Sequence, residues 1–392
     1  MLPDYVRQAM RLLEKGGYEV WTVGGCVRDR LRGEVPHDFD LTTNATPKQM
    51  LEIFGDTRCI LQGLSHGTVT PIFGHHPVEI TTYRTESGYR DHRRPDAVVF
   101  TEEIKEDLAR RDFTVNAMAW HPKRGLCDPF GGAADLKAGI IRAVGDPKQR
   151  FEEDALRILR GIRFAVRLGF AVEAHTAQAM NEAAPTLRYI AKERVTEELR
   201  GILALPDCAR IWDDFLPVWE QVLPNIKPIP TQALSAPLDF VLRLTLIGYL
   251  SKADVTRNLC LTKIEKKAVA RLTAALDRAI PTDRVGVRRL AAEYGVEDAD
   301  ALLRLWAAIG VDTEGLGEML CECVEAGECL SVGQLAVSGD DLGLPSKQIG
   351  VALRGLLDAV VSEKVANQRE ALLFYLKDDI LEKKRKGMKN EP

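Results

Sequence analysis

No run of about 18 consecutive apolar residues occurs in the chain, so no membrane-spanning helix is expected. The N-terminal stretch MLPDYVRQAMRLLEKGGYEV lacks a charged tip followed by an apolar block. It does not read as a secretory signal, and a cytoplasmic protein is expected. There is no internal repeat and no low-complexity tract. A strongly basic balance is also missing: the net charge is −4, so any nucleic-acid role must rest on local patches. Clustered metal-ligand cysteines are nearly absent. Five of the eight stand alone, and Cys321, Cys323 and Cys329 form a CxC-x5-C group with no evident fourth ligand, in a helix-like segment. Buried thiols are expected there, not zinc or disulfides.

What is present is an ordinary soluble composition over 392 residues, 45% hydrophobic and 28% charged, enough for two to four domains, to go by typical domain sizes. Residues 1–145 mix helix and strand signals. Helical spacing predicts a helix over 4–16. EVWTVGG (19–25) reads as a strand entering a glycine turn, and CVRDRLRG (26–33) as the helix after it. Residues 39–43, 67–73, 77–83 and 97–100 are rich in Val, Ile, Thr and Phe and read as strands, with GHHP (74–77) as a hairpin turn. From about residue 146 the pattern is helical with Pro-marked breaks, and LPNIKPIPTQALSAP (223–237) reads as a linker. The last residues, EKKRKGMKNEP, read as a frayed basic tail.

In HDFDLTT (37–43), Asp38 and Asp40 share one face of a strand start, since side chains two apart point the same way. Like charges side by side repel unless something offsets them. An isolated pair of this kind is most often a solvated turn. Ahead of it, VGGCVRD (23–29) offers Gly24 and Gly25 for close approach to a phosphate, with Arg28 as a nearby cation. A phosphate cradle with paired carboxylates suits Mg²⁺–triphosphate chemistry, in which one or two carboxylates and phosphate oxygens share the ion. Two such ions can clamp an in-line displacement. Glu79, on a predicted strand in VEITTYR, is either a third carboxylate of that site or a solvated edge residue. RRDFTVNAMAW (110–120) sets Arg110, Arg111 and Asp112 before a predicted amphipathic helix; Asp112 reads as a helix cap, and the two adjacent arginines read either as structural or as facing phosphates or ribose.

EEDALRILRGIRFAVRLGF (152–170) reads as one helix with an apolar stripe of Leu156, Leu159, Ile162 and Val166. Asp154, Arg157, Arg160 and Arg163 rise along a neighbouring stripe. These are either solvated ion pairs or something more specific. A carboxylate beside a guanidinium is an acceptor–donor pair matching the edge of cytosine or adenine, and mismatching uracil and guanine.

GGCVRD, DFDLTT, RRDFTVNAMA, CDPFGGAADLKAGIIRAVGDP, EEDALRILRGIRFA and KERVTEELRGIL stand in the order of the class II tRNA nucleotidyltransferase motifs. Over roughly its first 200 residues the chain resembles the CCA-adding enzymes, within the DNA polymerase beta-like nucleotidyltransferases. Residues 335–361 resemble the family's terminal helical segment more weakly.

The resemblance implies an α+β architecture: a polymerase beta-like head with a mixed sheet (1–145), then an all-helical neck (146–205), body (206–305) and tail (306–392), seahorse-shaped. It implies that Asp38 and Asp40 bind two Mg²⁺ ions with Glu79 as third catalytic carboxylate. Gly24, Gly25 and Arg28 would hold the triphosphate, and Arg111 and Asp112 the ribose. Asn116, Arg160 and Arg163 would join the nucleotide site. Asp154 and Arg157 would read the base, supported by Glu153 and Arg160. Asp128, Pro129, Phe130 and Gly131 would form a head–neck hinge. TTYRTESGYRDHRRPDAVVF (81–100) resembles the family's flexible loop, with Arg84, Tyr89, Asp91, Arg93 and Arg94, and its presence counts against a CC-only enzyme. The implied substrates are CTP and ATP, and the implied partner is tRNA, held by its acceptor and T arms. Residues 84–94 carry a net +2 and 148–167 a net +3, patches suited to phosphate contact. Addition of A alone, poly(A) synthesis, and a non-catalytic RNA-binding scaffold are the rival readings.

Overall fold

A computed structural model of the chain describes residues 2–55, 57–87 and 97–387. It has two compact units. The first comprises the residues up to Thr231 together with Ala253–Leu261; the second comprises Gln232–Lys252 and the residues from Thr262 onward. The division falls inside the Pro-rich 223–237 stretch.

The first unit opens with α1 (Asp4–Lys15), β1 (Val20–Val23), α2 (Gly25–Leu31), β2 (Asp40–Thr43) and α3 (Pro47–Phe54). Thr46 and Gln49 close a capping box at the start of α3, with Pro47 in its first turn. Then come β3 (Cys59–Ile60), β4 (Thr68–Phe73), β5 (His76–Pro77), β6 (Ile80–Thr82), β7 (Arg84–Ser87), β8 (Ala97–Phe100), α4 (Ile104–Ala109), β9 (Ala119–His121) and β10 (Gly125–Cys127). The mixed sheet runs β10-β9-β1-β2-β6-β4-β3, with β5 paired to β4; β7 and β8 form a separate ribbon. Gly74 and His75 turn the β4–β5 hairpin, where Phe73 pairs with His76.

All four residues of β1 are buried because both sheet faces are covered. Val20, Leu41 and Ile80 face a core with α1 and α3 side chains. Trp21 and Val23 face the other way, onto Tyr83, Leu108 and Ala119. Period two thus sends Asp40 and Thr42 to the second face and Leu41 to the first. Tyr83 is fully buried, and its hydroxyl has no protein partner among the described residues. Burial pushes that phenol far above its ordinary value, with Glu19 and Asp107 adding to the shift. An unpaired buried hydroxyl costs stability, so Tyr83→Phe is expected to stabilise by about 1 kcal/mol, read as a higher urea midpoint at unchanged slope; a lower midpoint would show that the hydroxyl is satisfied.

Two predicted helices differ. Residues 110–120 form no amphipathic helix: α4 ends at Ala109, Thr114–Asn116 make a single 3₁₀ turn, and Ala119–His121 are a strand on β1. Pairing to a buried strand overrides a weak local helix preference. Residues 152–170 are not one helix: α6 (Pro147–Glu153) stops and α7 (Leu156–Leu168) begins, with Asp154 extended between them at φ −140° and ψ 102°. Its carboxylate accepts the Leu156 N–H at 3.1 Å, the local side-chain bond by which Asp competes with a continuing helix. Between β10 and α6 lies α5 (Gly132–Ala138), and α8 (Ala174–Ala183) and α9 (Lys192–Leu203) follow.

The second unit is helical throughout its described residues. Helices Phe240–Ser251, Lys263–Ala275, Arg284–Tyr294, Val296–Ala308, Leu316–Glu325 and Ser346–Val361 lead to Arg369–Gly387. Cys323 and Cys329 are buried and Cys321 is exposed. Among the described residues no group of three His, Cys, Asp or Glu side chains forms a metal cage, and no helix is long and apolar enough to cross a membrane.

Candidate functional site

The face of the sheet bearing Asp40 forms the floor of a cleft of about 340 Å³. β2 and β6 run parallel, Leu41 beside Ile80, and Leu41 N–H donates to Glu79 C=O at 2.9 Å. This register sets Asp40 and Glu79 side by side at the same end of neighbouring strands, and both line the cleft. Asp38 is exposed two residues earlier and is not a lining residue. Phe39 turns to the other face and packs partly buried against the core. Asp40 stays open to solvent from the cleft although protein crowds its other sides. That crowding is the largest cause of its raised pKa, followed by the charge of Glu79; Arg111 opposes and Asp38 adds. Asp40 and Glu79 side by side, with Asp38 near enough to add to the shift, form an acidic edge with only partial compensation, where a cation would relieve the repulsion. Hard oxygen donors on an open cleft, without a closed cage, fit Mg²⁺, which keeps waters and substrate phosphates among its ligands.

The glycine turn borders this floor, since Val23 pairs with Asp40 and Gly24 follows. Gly24 has φ 72° and ψ −132°, a backbone state that side chains disfavour, and a Cβ there would stand 3.1 Å from Arg111 Nη1. Gly25 begins α2. Arg28 is not in the cleft. It is buried behind the turn, donating to Asn116 Oδ1 at 2.8 Å and to Asp29 at 2.8 Å. Among the five arginines that do line the cleft are Arg84, Arg110 and Arg111.

Sequence reading passed over the residue that gathers them. Asp107 is fully buried. Its Oδ1 accepts from Arg110 at 2.8 and 3.0 Å and from the Arg84 N–H at 3.4 Å. Its Oδ2 lies 3.3 Å from the Thr42 hydroxyl and 3.6 Å from Arg111 Nη2. Glu86 adds a second anion, bound to Arg84 and Arg110. The signal was in the sequence: Asp107 precedes Arg110 and Arg111 by three and four residues, the spacing of helical ion pairs.

At the other end the α6–α7 break presents Asp154 and Arg157 together in the cleft, though not as neighbours on one helix face. Arg157 Nη1 donates to Glu153 at 2.7 Å and to Arg150 C=O at 3.2 Å, and Nη2 donates to Arg110 C=O at 3.0 Å. Glu153 also holds Arg150 at 2.8 Å. Asp154 Oδ2 faces Arg194 of α9 at 3.5 Å. Arg160 bonds to neither Asp154 nor Arg157. It forks onto Asp112 Oδ2, Nε at 3.0 Å and Nη2 at 2.7 Å. Asp112 caps no α-helix; its other oxygen accepts the Phe113 N–H at 2.9 Å. Burial raises the Asp112 carboxyl, but Arg160, Arg157 and the Phe113 N–H together hold it below its ordinary value. Arg163 does not line the cleft; it pairs with Glu198 of α9 at 2.7 Å.

The 128–131 stretch is an anchored turn. Asp128 accepts the N–H groups of Gly132 at 2.7 Å and Ala133 at 2.9 Å, capping α5, and Phe130 packs on the Trp21 cluster. Arg84 lies in β7, donating to Glu86 and to His66 C=O. Tyr89, Asp91, Arg93 and Arg94 lie outside the described residues.

With this geometry in view, comparisons with known proteins are specific. Residues 20–142 match the model of the poly A polymerase head domain, and 169–217 match a probable RNA- and SrmB-binding site of polymerase A. The chain is 35% identical over 395 residues to the CCA-adding enzyme of Lactobacillus delbrueckii subsp. bulgaricus, covering 96% of this chain and 98% of that protein. A crystal structure of the Bacillus stearothermophilus CCA-adding enzyme in complex with CTP superposes with a TM-score of 0.80 at 30% identity, over 100% of both chains. The Thermotoga maritima CCA-adding enzyme complexed with tRNA shares the fold, with a TM-score of 0.70 at 22% identity over 97% of this chain and 96% of that one.

Proposed function

The chain belongs to the CCA-adding enzymes, and from that premise we propose how its cleft carries out the family's reaction. It is a tRNA nucleotidyltransferase that adds C, C and A to tRNA 3′ ends from CTP and ATP, releasing pyrophosphate. The observation supporting the assignment of residues is that one cleft is lined by Asp40 and Glu79 and also by Asp154 and Arg157. A single nucleotide bound there would set its phosphates against the first two and its base against the second two.

In this reading Asp38, Asp40 and Glu79 would hold Mg²⁺, which would supply charge neutralisation for the attacking and leaving oxygens. Arg84, Arg110 and Arg111, mounted on Asp107 and Glu86, face the triphosphate and the departing pyrophosphate with fixed positive charge. Gly24 lets the backbone approach the same phosphates. Two of the four Nη hydrogens of Arg157 are fixed by Glu153 and Arg150, and a third by Arg110. Among the described residues, Nε and one Nη2 hydrogen meet no acceptor and are available to a base. Two donors beside the Asp154 acceptor meet O2, N3 and the amino group of cytosine, or N1 and the amino group of adenine. Uracil and guanine would set an acceptor against Asp154. No template is needed, because the protein supplies the pairing edge. The neck, body and tail would hold the acceptor and T arms of the tRNA through shape and backbone.

The test supplies purified protein with Mg²⁺ and tRNA lacking CCA, and with CTP, ATP or both. C incorporation followed by A supports the reading; a protein that never incorporates C is an A-adding or poly(A) enzyme. In the same assay Arg157→Ala is expected to lower the CTP-over-UTP preference on the order of 100-fold with tRNA KM little changed. Equal loss in both quantities would count against base reading by Arg157.

A further inference from the structure

We infer that Arg160 is a positioning residue for the sugar, setting ribose over 2′-deoxyribose through Asp112, and does not support base reading. The inference rests on the functional reading above and assigns one residue within it. Phosphates at the carboxylate end and base at the Asp154 end leave the sugar between them. Asp112 is tied to both sides. It follows Arg111, whose guanidinium stands beside Gly24, and it is bonded to α7 one turn beyond Arg157. Both Asp112 and Arg160 line the cleft.

A carboxylate that is to recognise a hydroxyl must be held in one orientation with one acceptor position open. Arg160 does the holding. Its two donors take both acceptor positions of Oδ2 and fix the carboxylate plane by a fork. Oδ1 accepts the Phe113 N–H at 2.9 Å, with the Asn116 amide only at 3.5 Å. One strong acceptor position on Oδ1 therefore remains, enough for a single hydroxyl. Arg160 makes no hydrogen bond to Asp154, Arg157 or Glu153. Asn116, at 3.5 Å from Asp112 Oδ1, is itself held by Arg28 at 2.8 Å.

The experiment measures kcat and KM for CTP, 2′-deoxyCTP and UTP on tRNA lacking CCA. Wild-type C incorporation is established first, so failure of the functional reading is seen separately. Lysine cannot fork, so Arg160→Lys should reduce the CTP-to-2′-deoxyCTP ratio of kcat/KM by about tenfold or more, mainly through a raised CTP KM, and leave the CTP-to-UTP ratio within about twofold. In an Asp112→Asn background the same substitution should change the sugar ratio no further. A fall in the CTP-to-UTP ratio instead, equal losses for both sugars, or additive losses in the double variant would each overturn the inference. Thermal melts accompany each variant. Should Arg160→Lys not fold, Arg160→Gln decides, since it too cannot fork and must lower the sugar ratio while sparing the base ratio.

Discussion

Asp40→Asn is expected to reduce nucleotide incorporation by about three orders of magnitude or more and, in cation-free buffer at neutral pH, to raise the melting temperature. The activity loss follows from removing a charge at the centre of the carboxylate group; about 1,000-fold corresponds to about 4 kcal/mol of transition-state stabilisation. The stability gain follows from the direction of the Asp40 shift. Crowding by protein, Glu79 and Asp38 raise its folded-state pKa above the unfolded one. Below the ordinary carboxylate range both states are protonated and Asp40 adds no penalty. As pH rises through the unfolded value the unfolded chain ionises first, and the folded state falls behind. Above the raised folded value the whole penalty is present. Asparagine keeps the shape without the charge, so the variant's advantage should open as pH rises from about 4 and level off above the raised folded value. Mg²⁺ should stabilise the wild type more than the variant, because a ligand that binds only the folded state shifts folding by mass action. Melting curves in chelator and in Mg²⁺ across pH check this. Retained activity, or a variant less stable than wild type in chelator at pH 7, would remove Asp40 from the proposed cation site.

Asp40 was legible as a strand-start carboxylate because that chemistry is local and needs only the strand, whereas Asp38 lies before the strand and outside the cleft. The alignment of Asp40 with Glu79 was not legible, since parallel pairing of β2 with β6 depends on the whole sheet, and nothing in VEITTYR states its partner. Asp154 and Arg157 both line the cleft, but not as spacing suggested. Spacing put them on one helix, whereas the Asp154 side chain ends the regular backbone and the two reach the cleft from the break and from α7, each bonded to other residues. Arg28 has the right type and neighbourhood for a phosphate ligand, yet burial turns it to Asn116 and Asp29. Asp107 shows the opposite case. Its spacing to two arginines is visible, but a buried acceptor and a solvated helix pair look alike until burial is known. In each case the residue type was readable, and what it faced was decided by tertiary packing.

Gly131 and Gly132 make the same point as a testable contrast. Side by side in CDPFGGAADLK, they look interchangeable. Gly131 has φ 74°, and no atom lies within 4 Å of where a Cβ would stand. Gly131→Ala meets only backbone strain, about 1–2 kcal/mol for a left-handed residue. Gly132 starts α5 in ordinary helical geometry, where alanine is intrinsically better by up to about 1 kcal/mol. Its Cβ, however, would fall 2.2 Å from Thr114 C=O oxygen, 2.9 Å from Thr114 carbonyl carbon and 2.8 Å from Met118 Cγ. Backbone cannot rotate aside as a side-chain tip can. The Thr114–Asn116 turn would have to lift away, breaking the 2.7 Å bond from the Thr114 hydroxyl to Asp135. Asp112 and Asn116 would move with it, and with them the mount of Arg160 and Arg28. Overpacking of a rigid site costs about 1–3 kcal/mol and sometimes more; against backbone the upper end or beyond is expected. At about 2–4 °C per kcal/mol for a unit of this size, Gly132→Ala should lower the first unit's melting transition by roughly 6–12 °C or abolish it. Gly131→Ala should lower it by only about 2–8 °C, one to two thirds as much. Any folded Gly132→Ala enzyme should show a raised KM for CTP, because the sugar and phosphate supports share that turn. Calorimetry of the two variants decides it. A Gly132→Ala protein as stable as Gly131→Ala would mean that α5 slides away from the turn, and that the turn's position does not depend on the missing side chain.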